Sequence, residues 1–365
     1  MNLFPDLKKK YTKESLSARE AQRLAEYIAF GPVIFQTARI MYKWGILEML
    51  RNSDNGLTIQ EVAKEKNISL YAAKCLLEAS LCIGLLLVDE ATDRFTLSKT
   101  GWFLINDPAT RVNIDFNHDV NYRGWFNLEE SLMNGKPEGL KTLGDWPTIY
   151  EGLSSLPKHV QDSWFGFDHF YSDHSFDQAL EIVFAQKPKT LLDVGGNTGR
   201  WALRCVDYDT DVNVTILDLP QQIDLMRSNI KDKLGSDRID GLGVNLLDES
   251  VEMPADRTFE ALWMSQFLDC FSEEQIVSIL RRAAKVMDSD SRLYIMETFW
   301  DRQRFEAAAL CLTLTSLYFT AMANGNSKMY HSEDMARLIH EAGLEVEKIH
   351  DYLGQGHSIF VCKLR

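Results

Sequence analysis

Residues 190–201 read Thr-Leu-Leu-Asp-Val-Gly-Gly-Asn-Thr-Gly-Arg-Trp, and no other stretch constrains the fold as tightly. A short apolar run ends in an acid, and a glycine-rich turn then opens onto Trp201-Ala-Leu-Arg-Cys205. Strand, tight loop and helix in that order make the first half of a nucleotide-binding βαβ unit. Glycine is required in the loop because the backbone turns sharply and lets a ligand approach closer than a Cβ permits. A second apolar run, 212–219, ends at Asp218, nineteen residues beyond Gly199. An acid at the end of that strand can accept both hydroxyls of a ribose.

The glycine pattern is incomplete. Asn197 stands in the middle of Gly195-x-Asn-x-Gly199, and no Lys-Ser or Lys-Thr follows. A phosphate cradle is therefore not expected, and the charge of Asp193 would repel a pyrophosphate while suiting a cationic ligand. S-adenosylmethionine meets those terms, with its ammonium, its sulfonium and no phosphate. On this reading Asp193, Gly195, Gly196 and Gly199 shape the cofactor loop and Asp218 holds the ribose.

The rest of the chain narrows the function classes. A net charge of −14 over 365 residues argues against a nucleic-acid partner, since phosphate contacts need a basic face. The six cysteines show no Cys-x-x-Cys spacing, so free and mostly buried thiols are expected. His118, His169 and His174 lack the spacing of a metal site, and no metal is expected. The first residues carry no apolar core of signal-peptide length and no run reaches a membrane span, so a cytoplasmic protein without a membrane partner is expected.

In chain order, residues 14–50 read as helices with apolar faces that suit a second subunit, and a homodimer through these helices is expected. Thr58 and Glu61 form a capping box, a helix follows from Ser69, and 85–97 reads as a hairpin turning at Ala91-Thr-Asp93. Helix, helix and hairpin make a winged helix. Its second helix offers one base, Lys74, beside Glu78, too little for a groove reader, so a scaffold role is expected. Residues 101–189 are helical and rich in Trp and Phe, which suits an aromatic-lined pocket. From 188 onward strands at 190–194, 212–219, 239–246, 259–268 and 291–298 alternate with helices, and strands at 345–352 and 357–364 close the chain. The expected fold is thus α/β. A helical dimerisation and winged-helix domain spans 1–110, a helical linker and pocket segment 111–187, and a Rossmann-like seven-stranded domain 188–365.

This order of modules resembles the small-molecule O-methyltransferases of the plant caffeic-acid and bacterial polyketide-tailoring type, which share a class I methyltransferase domain. Leu192-Asp-Val-Gly-Gly-Asn-Thr-Gly199 and Asp218-Leu-Pro220 are similar to the family's cofactor motifs, and Ala342-Gly343-Leu344 to its Ala-Gly-Phe before the last hairpin. The resemblance implies that Asp218 and Leu219 flank the ribose, that Asn245 and Leu246 flank adenine, and that Ser265 stands where the family's lysine meets the cofactor. It also implies methyl transfer to the oxygen of a small aromatic or polyketide-like molecule.

One segment departs from the family. Where its members carry a histidine base, Met264-Ser-Gln-Phe-Leu-Asp-Cys-Phe-Ser-Glu-Glu274 has Asp269, followed by Cys270. Of two flanking glutamates, Glu297 is present and the other falls at Met329. Three alternatives follow: Asp269 is the base, its pKa of about 3.9 raised by burial beside Glu297; no base is needed; or methyl transfer is lost and the fold serves as a cofactor binder. Transfer to nitrogen or carbon, and a metabolite-sensing winged-helix regulator, are the remaining readings.

Overall fold

The computed structural model describes residues 5–254 and 257–365, which divide into two compact units: residues 14–120, and the remainder.

In the first unit, helix Ala18–Ala29 opens with a capping box of Ser17 and Glu20 that the sequence reading did not single out. Helices Gly31–Lys43, Ile46–Arg51, Ile59–Lys66 and Leu70–Cys82 follow. Thr58 and Glu61 form the expected box, Thr58 accepting the Glu61 amide and Glu61 reaching back to the Thr58 amide. Strands β1 (Leu86–Asp89) and β2 (Arg94–Leu97) make the hairpin, and Asp89 pins its turn by accepting from Ala91, Thr92 and the Thr92 hydroxyl. Met41, Ile46, Leu47, Leu50, Val62, Leu77 and Phe95 form its core. Along the first two helices Leu24, Ile28, Phe30 and Val33 are instead exposed.

The second unit is built on seven strands: β3 (Thr190–Val194), β4 (Asn213–Asp218), β5 (Ile239–Gly243), β6 (Ala261–Ser265), β7 (Arg292–Glu297), β8 (Leu344–Leu353) and β9 (His357–Leu364). Their order across the sheet is β5-β4-β3-β6-β7-β9-β8. The first five are parallel, and β9 runs antiparallel between β7 and β8. The chain winds outward from β3 to β5 and returns to β6 on the other side of β3. This topological switch leaves a crevice at the carboxyl ends of β3, β4 and β6, where open α/β sheets bind ligands.

Both faces of the sheet are covered, which explains the near-continuous apolar strands. Leu192, Val194, Leu262, Met264, Leu293 and Ile295 pack against helices Glu273–Ala284 and Ser332–Glu341. Leu191, Ala261, Trp263, Tyr294 and Met296, their alternate neighbours, pack against helices Phe176–Val183, Arg200–Tyr208 and Pro220–Ile230. Trp201 and Trp263 stack at a centroid distance of 4.2 Å and 17° between planes, tying the helix after the glycine loop to the centre of the sheet.

Two expectations are corrected. The thiols are not mostly buried: Cys205 and Cys362 are, whereas Cys75 and Cys82 are exposed and Cys270 and Cys311 half-buried. The helical run Glu306–Ala323 is, at 18 residues, long and apolar enough to cross a membrane by length and composition. Ala309, Leu312, Tyr318, Phe319 and Met322 bury one side of it in the protein.

Replacing Trp263 by Ala removes the stacked partner of Trp201 and leaves a cavity in the sheet. A loss of about 3–5 kcal/mol is expected from denaturant unfolding of the full chain, and a loss below about 1 kcal/mol would refute the central role of this pair.

Candidate active site

The glycine loop follows β3 directly. Gly195 has φ +79° and its N–H donates to the Leu217 carbonyl at 2.8 Å, so the loop is anchored to β4. A Cβ on Gly195 would collide with the ring of Phe267, and one on Gly196 would lie 2.6 Å from Asp193 Oδ2. Asn197 adopts φ +47°, a left-handed conformation that asparagine tolerates better than most residues, so the middle glycine can be dispensed with. Gly199, at φ +79°, caps helix Arg200–Tyr208 and lies close to Met226 and Ile230.

Two carboxylates face this loop. Asp193 is 2 % exposed and its Oδ2 has no hydrogen-bond partner. Burial, and then the charge of Asp218, push it up to about 8. Asp218 accepts the Asn197 amide at 2.8 Å and the Leu219 amide at 2.7 Å. Burial raises its pKa and those two amides oppose the rise. A buried acceptor without a donor carries an energetic cost of about 1–3 kcal/mol that a bound cation would relieve.

The expected adenine segment lies beyond β5, which ends at Gly243 rather than 246, with the Val244 amide still donating to the Asp218 carbonyl at 2.8 Å. Leu246 is buried, whereas Asn245 is exposed and its carbonyl already accepts the Leu247 amide at 3.0 Å. Arg282, from the helix Glu273–Ala284, holds this segment from beneath. It is 4 % exposed and donates to the carbonyls of Leu246 at 2.6 Å, Val251 at 2.9 Å and Asp248 at 3.2 Å. Nothing in the sequence distinguished Arg282 from an ordinary helix arginine.

After β6 the chain reverses. Ser265 is half-buried at the strand end, Gln266 has φ +45°, and a short 3-10 turn, Leu268–Cys270, carries Asp269. Glu297, at the end of β7, sets this turn. Its Oε1 accepts the amides of Phe267 at 3.1 Å and Leu268 at 2.9 Å, while its Oε2 is buried without a partner. Burial, and then the charge of Asp269, push Glu297 well above the usual carboxyl range. Glu297 is thus a buried carboxyl that holds the turn through Oε1 and leaves Oε2 without a partner. Asp269 is 4 % exposed, and burial lifts it to about 6 against the opposing Cys270 thiol, whose Sγ donates to Oδ1 at 3.4 Å. His357, wholly buried on β9, links Ser175 (2.9 Å from Nδ1) to Gln266 (3.3 Å from Nε2) and so ties the turn to the aromatic segment. Burial holds its pKa down at about 3, so it is neutral.

The helix Lys158–Asp173 brings a residue that sequence reasoning missed. Asp168 lies within electrostatic reach of Asp269; burial first, then the charges of Asp269 and Asp173, push it up to about 7, against Arg200. Trp164, one turn earlier, donates from Nε1 to the Tyr318 hydroxyl at 2.8 Å. Arg200 pairs with Asp173 at 2.7 Å. The histidines of the aromatic stretch drew attention in the sequence; an acid among phenylalanines did not.

Comparison with known proteins gives the family. Residues 22–95 match the dimerisation2-like domain and residues 171–345 the O-methyltransferase domain. The mitomycin biosynthesis 6-O-methyltransferase of Streptomyces lavendulae is 24 % identical over 262 residues, covering 70 % of each chain. The structure of the mitomycin 7-O-methyltransferase MmcR superimposes with a TM-score of 0.70 at 18 % identity, over 94 % of this chain and 98 % of that one. NcsB1, an O-methyltransferase of neocarzinostatin biosynthesis bound to S-adenosylmethionine and a hydroxy-methyl-naphthoic acid, gives 0.66 at 18 % identity, over 91 % and 96 %.

Arg282→Met would strip three donors from the carbonyls of 246–251. Amide hydrogen exchange at Asp248 and Val251, which close the turns of that segment, should accelerate by about tenfold or more, with little change in the sheet. Unchanged exchange there would remove Arg282 as the support.

Proposed function

The chain belongs to the S-adenosylmethionine-dependent O-methyltransferase family, and on that premise we propose that it methylates an oxygen of a small aromatic or polyketide-like acceptor, with Asp269 as the proton acceptor. The observation that carries this reading is the contact between the glycine loop and the Asp269 turn. Gly195 packs against the ring of Phe267, two residues before Asp269, so cofactor loop and candidate base belong to one crevice.

The residues present fit the cofactor. The orphaned Asp193 Oδ2 and Asn197 Oδ1 are buried acceptors beside a loop whose glycines have no room for a side chain. Bound there, S-adenosylmethionine supplies a methyl group on a positively charged sulfur. Asp193 and Asp218 provide compensating charge, and Asp218 keeps lone pairs for the ribose hydroxyls beyond the two amides it accepts. Leu246 gives adenine an apolar neighbour, and Asn245 retains one carbonyl lone pair after its bond to Leu247. Leu219 and Ser265 flank the same crevice at the ends of β4 and β6.

At the acceptor side, Asp269 receives the hydroxyl proton on its carboxylate as the oxygen–methyl bond forms. Its elevation to about 6 makes it a better base for an oxygen acid than an ordinary aspartate, while most of it is still ionised at neutral pH. Glu297 acts by holding the turn through the amides of Phe267 and Leu268. The exposed Leu24, Ile28, Phe30 and Val33, with the match to a dimerisation2-like domain, support a homodimer through the N-terminal helices.

Three measurements test this reading. Asp269→Asn should lower turnover by about 10²–10⁴-fold at saturating acceptor; wild-type turnover would exclude the base role. Because the ionised form is the active one, the rate should rise with pH through about 6, and a flat profile from pH 5 to 8 would contradict it. Asp218→Ala should weaken adenosylhomocysteine binding by about 1–3 kcal/mol in calorimetry, with unchanged affinity counting against the ribose assignment.

A further inference from the structure

The winged-helix unit, expected to be a scaffold, contains a recess of about 480 Å3 built from its own residues. Helix Gly31–Lys43 supplies Arg39, Tyr42 and Lys43 to its wall. Gly45 and Glu48 come from the start of helix Ile46–Arg51, and Ile105 from the end of helix Lys99–Asn106. Helix Pro108–Phe116 adds Arg111 and Asp115. A Cβ on Gly45 would lie 3.4 Å from the Lys66 ammonium, so the last residue of helix Ile59–Lys66 stands at the same rim.

Two guanidinium groups are arranged around one ring in this recess. Arg39 Cζ lies 5.7 Å and Arg111 Cζ 5.9 Å from the centroid of Tyr42, and Arg111 Nε donates to the Tyr42 hydroxyl at 3.3 Å. The side chain of Arg39 is only 12 % exposed; it pairs with Asp115 at 3.2 Å, and its Nε is buried without a partner. Glu48 is committed to Arg51 at 2.9 Å. Lys43 is exposed and Lys66 half-buried, and among the described residues neither has an ion pair. Arg39, Lys43, Arg51, Lys66 and Arg111 thus stand against Asp115 and Glu48, an excess of three positive charges. The excess is local, since the whole chain carries −14. Cations gathered around one recess repel one another unless an anion stands among them.

We propose that this recess binds a small phosphorylated molecule, with Arg39, Lys43 and Arg111 on the phosphate oxygens and Tyr42 and Ile105 against the uncharged body. Guanidinium groups offer donors in a rigid fork and lysine adds a mobile point charge, a combination that suits phosphate. A lone carboxylate would leave most of the excess charge unmatched, whereas a phosphate monoester brings about −2. A nucleic-acid duplex fits less well. Its backbone needs an exposed basic face, whereas Arg39 is sunk into the unit, and helix Leu70–Cys82, the would-be groove reader, contributes nothing to the recess. Every residue of the site lies within 14–120, so it is separate from the methyl-transfer crevice and does not depend on that reading.

The test is calorimetric titration of the full chain with pyrophosphate at low ionic strength. One equivalent should bind, and the unfolding temperature should rise with pyrophosphate concentration. Lys43→Gln and Arg111→Gln should each weaken binding by about tenfold or more, because a charge-assisted hydrogen bond to phosphate is lost. Both residues are exposed, so the variants should unfold near the wild-type temperature when pyrophosphate is absent. Lys74→Gln, in the same unit but outside the recess, should leave affinity unchanged. Asp115→Asn removes the carboxylate that pairs with Arg39 and should tighten binding by about threefold or more, a gain that a purely structural Arg39–Asp115 strut would not give. No saturable binding, equal affinity for citrate, or an affinity that survives both Lys43→Gln and Arg111→Gln would overturn the proposal. Displacement of pyrophosphate by a short DNA duplex would overturn it as well, in favour of a nucleic-acid partner.

Discussion

A carboxylic acid that never meets the solvent fixes the geometry of this site. Glu297 closes β7 and offers one oxygen to two successive amides of the turn after β6. Those amides would otherwise be buried donors without partners, so the turn can tighten only where the acid stands. Asp269 follows on the same turn and inherits its position. Burial, and then the charge of Asp269 beside it, raise Glu297, so the closeness that positions the turn also sets the electrostatics of the pair.

The framework around that turn was largely legible in the sequence. The apolar runs at 190–194 and 291–298 and the capping box at Thr58 are local patterns, and local patterns survive translation into structure. The α/β class, the seven strands and the cofactor loop followed from them. Where the reading failed, tertiary contacts decide. Strand β5 ends at Gly243 rather than three residues later, and the carbonyl of Leu246 is held instead by Arg282, thirty-six positions on.

The site was legible in part for the same reason. Asp193, Asp218 and the glycines announce themselves by spacing. Glu297 was visible as a residue near the chemistry but not as a backbone clamp, since that role depends on the fold bringing two strand ends together. Asp168 gave no local sign at all: it sits among aromatic residues on a helix, and only its burial near Asp269 separates it from a solvated acid. His357 likewise reads as an ordinary strand residue until Ser175 and Gln266 are found on its two nitrogens.

These acids share a thermodynamic character. Asp193, Asp168 and Asp269 stand at about 8, 7 and 6, all above the unfolded value of about 3.9. As pH rises from about 4 the unfolded chain loses these protons first, so each acid withdraws stability from the empty protein until pH passes its folded value, and nothing further beyond. A cation placed against the ionised form reverses that loss. The crevice therefore stores part of its affinity for positive ligands as instability of the empty state, released on binding. Such a site is costly for a fold to keep without a ligand to match it, which is a reason to read these raised carboxyls as recognition rather than as accident.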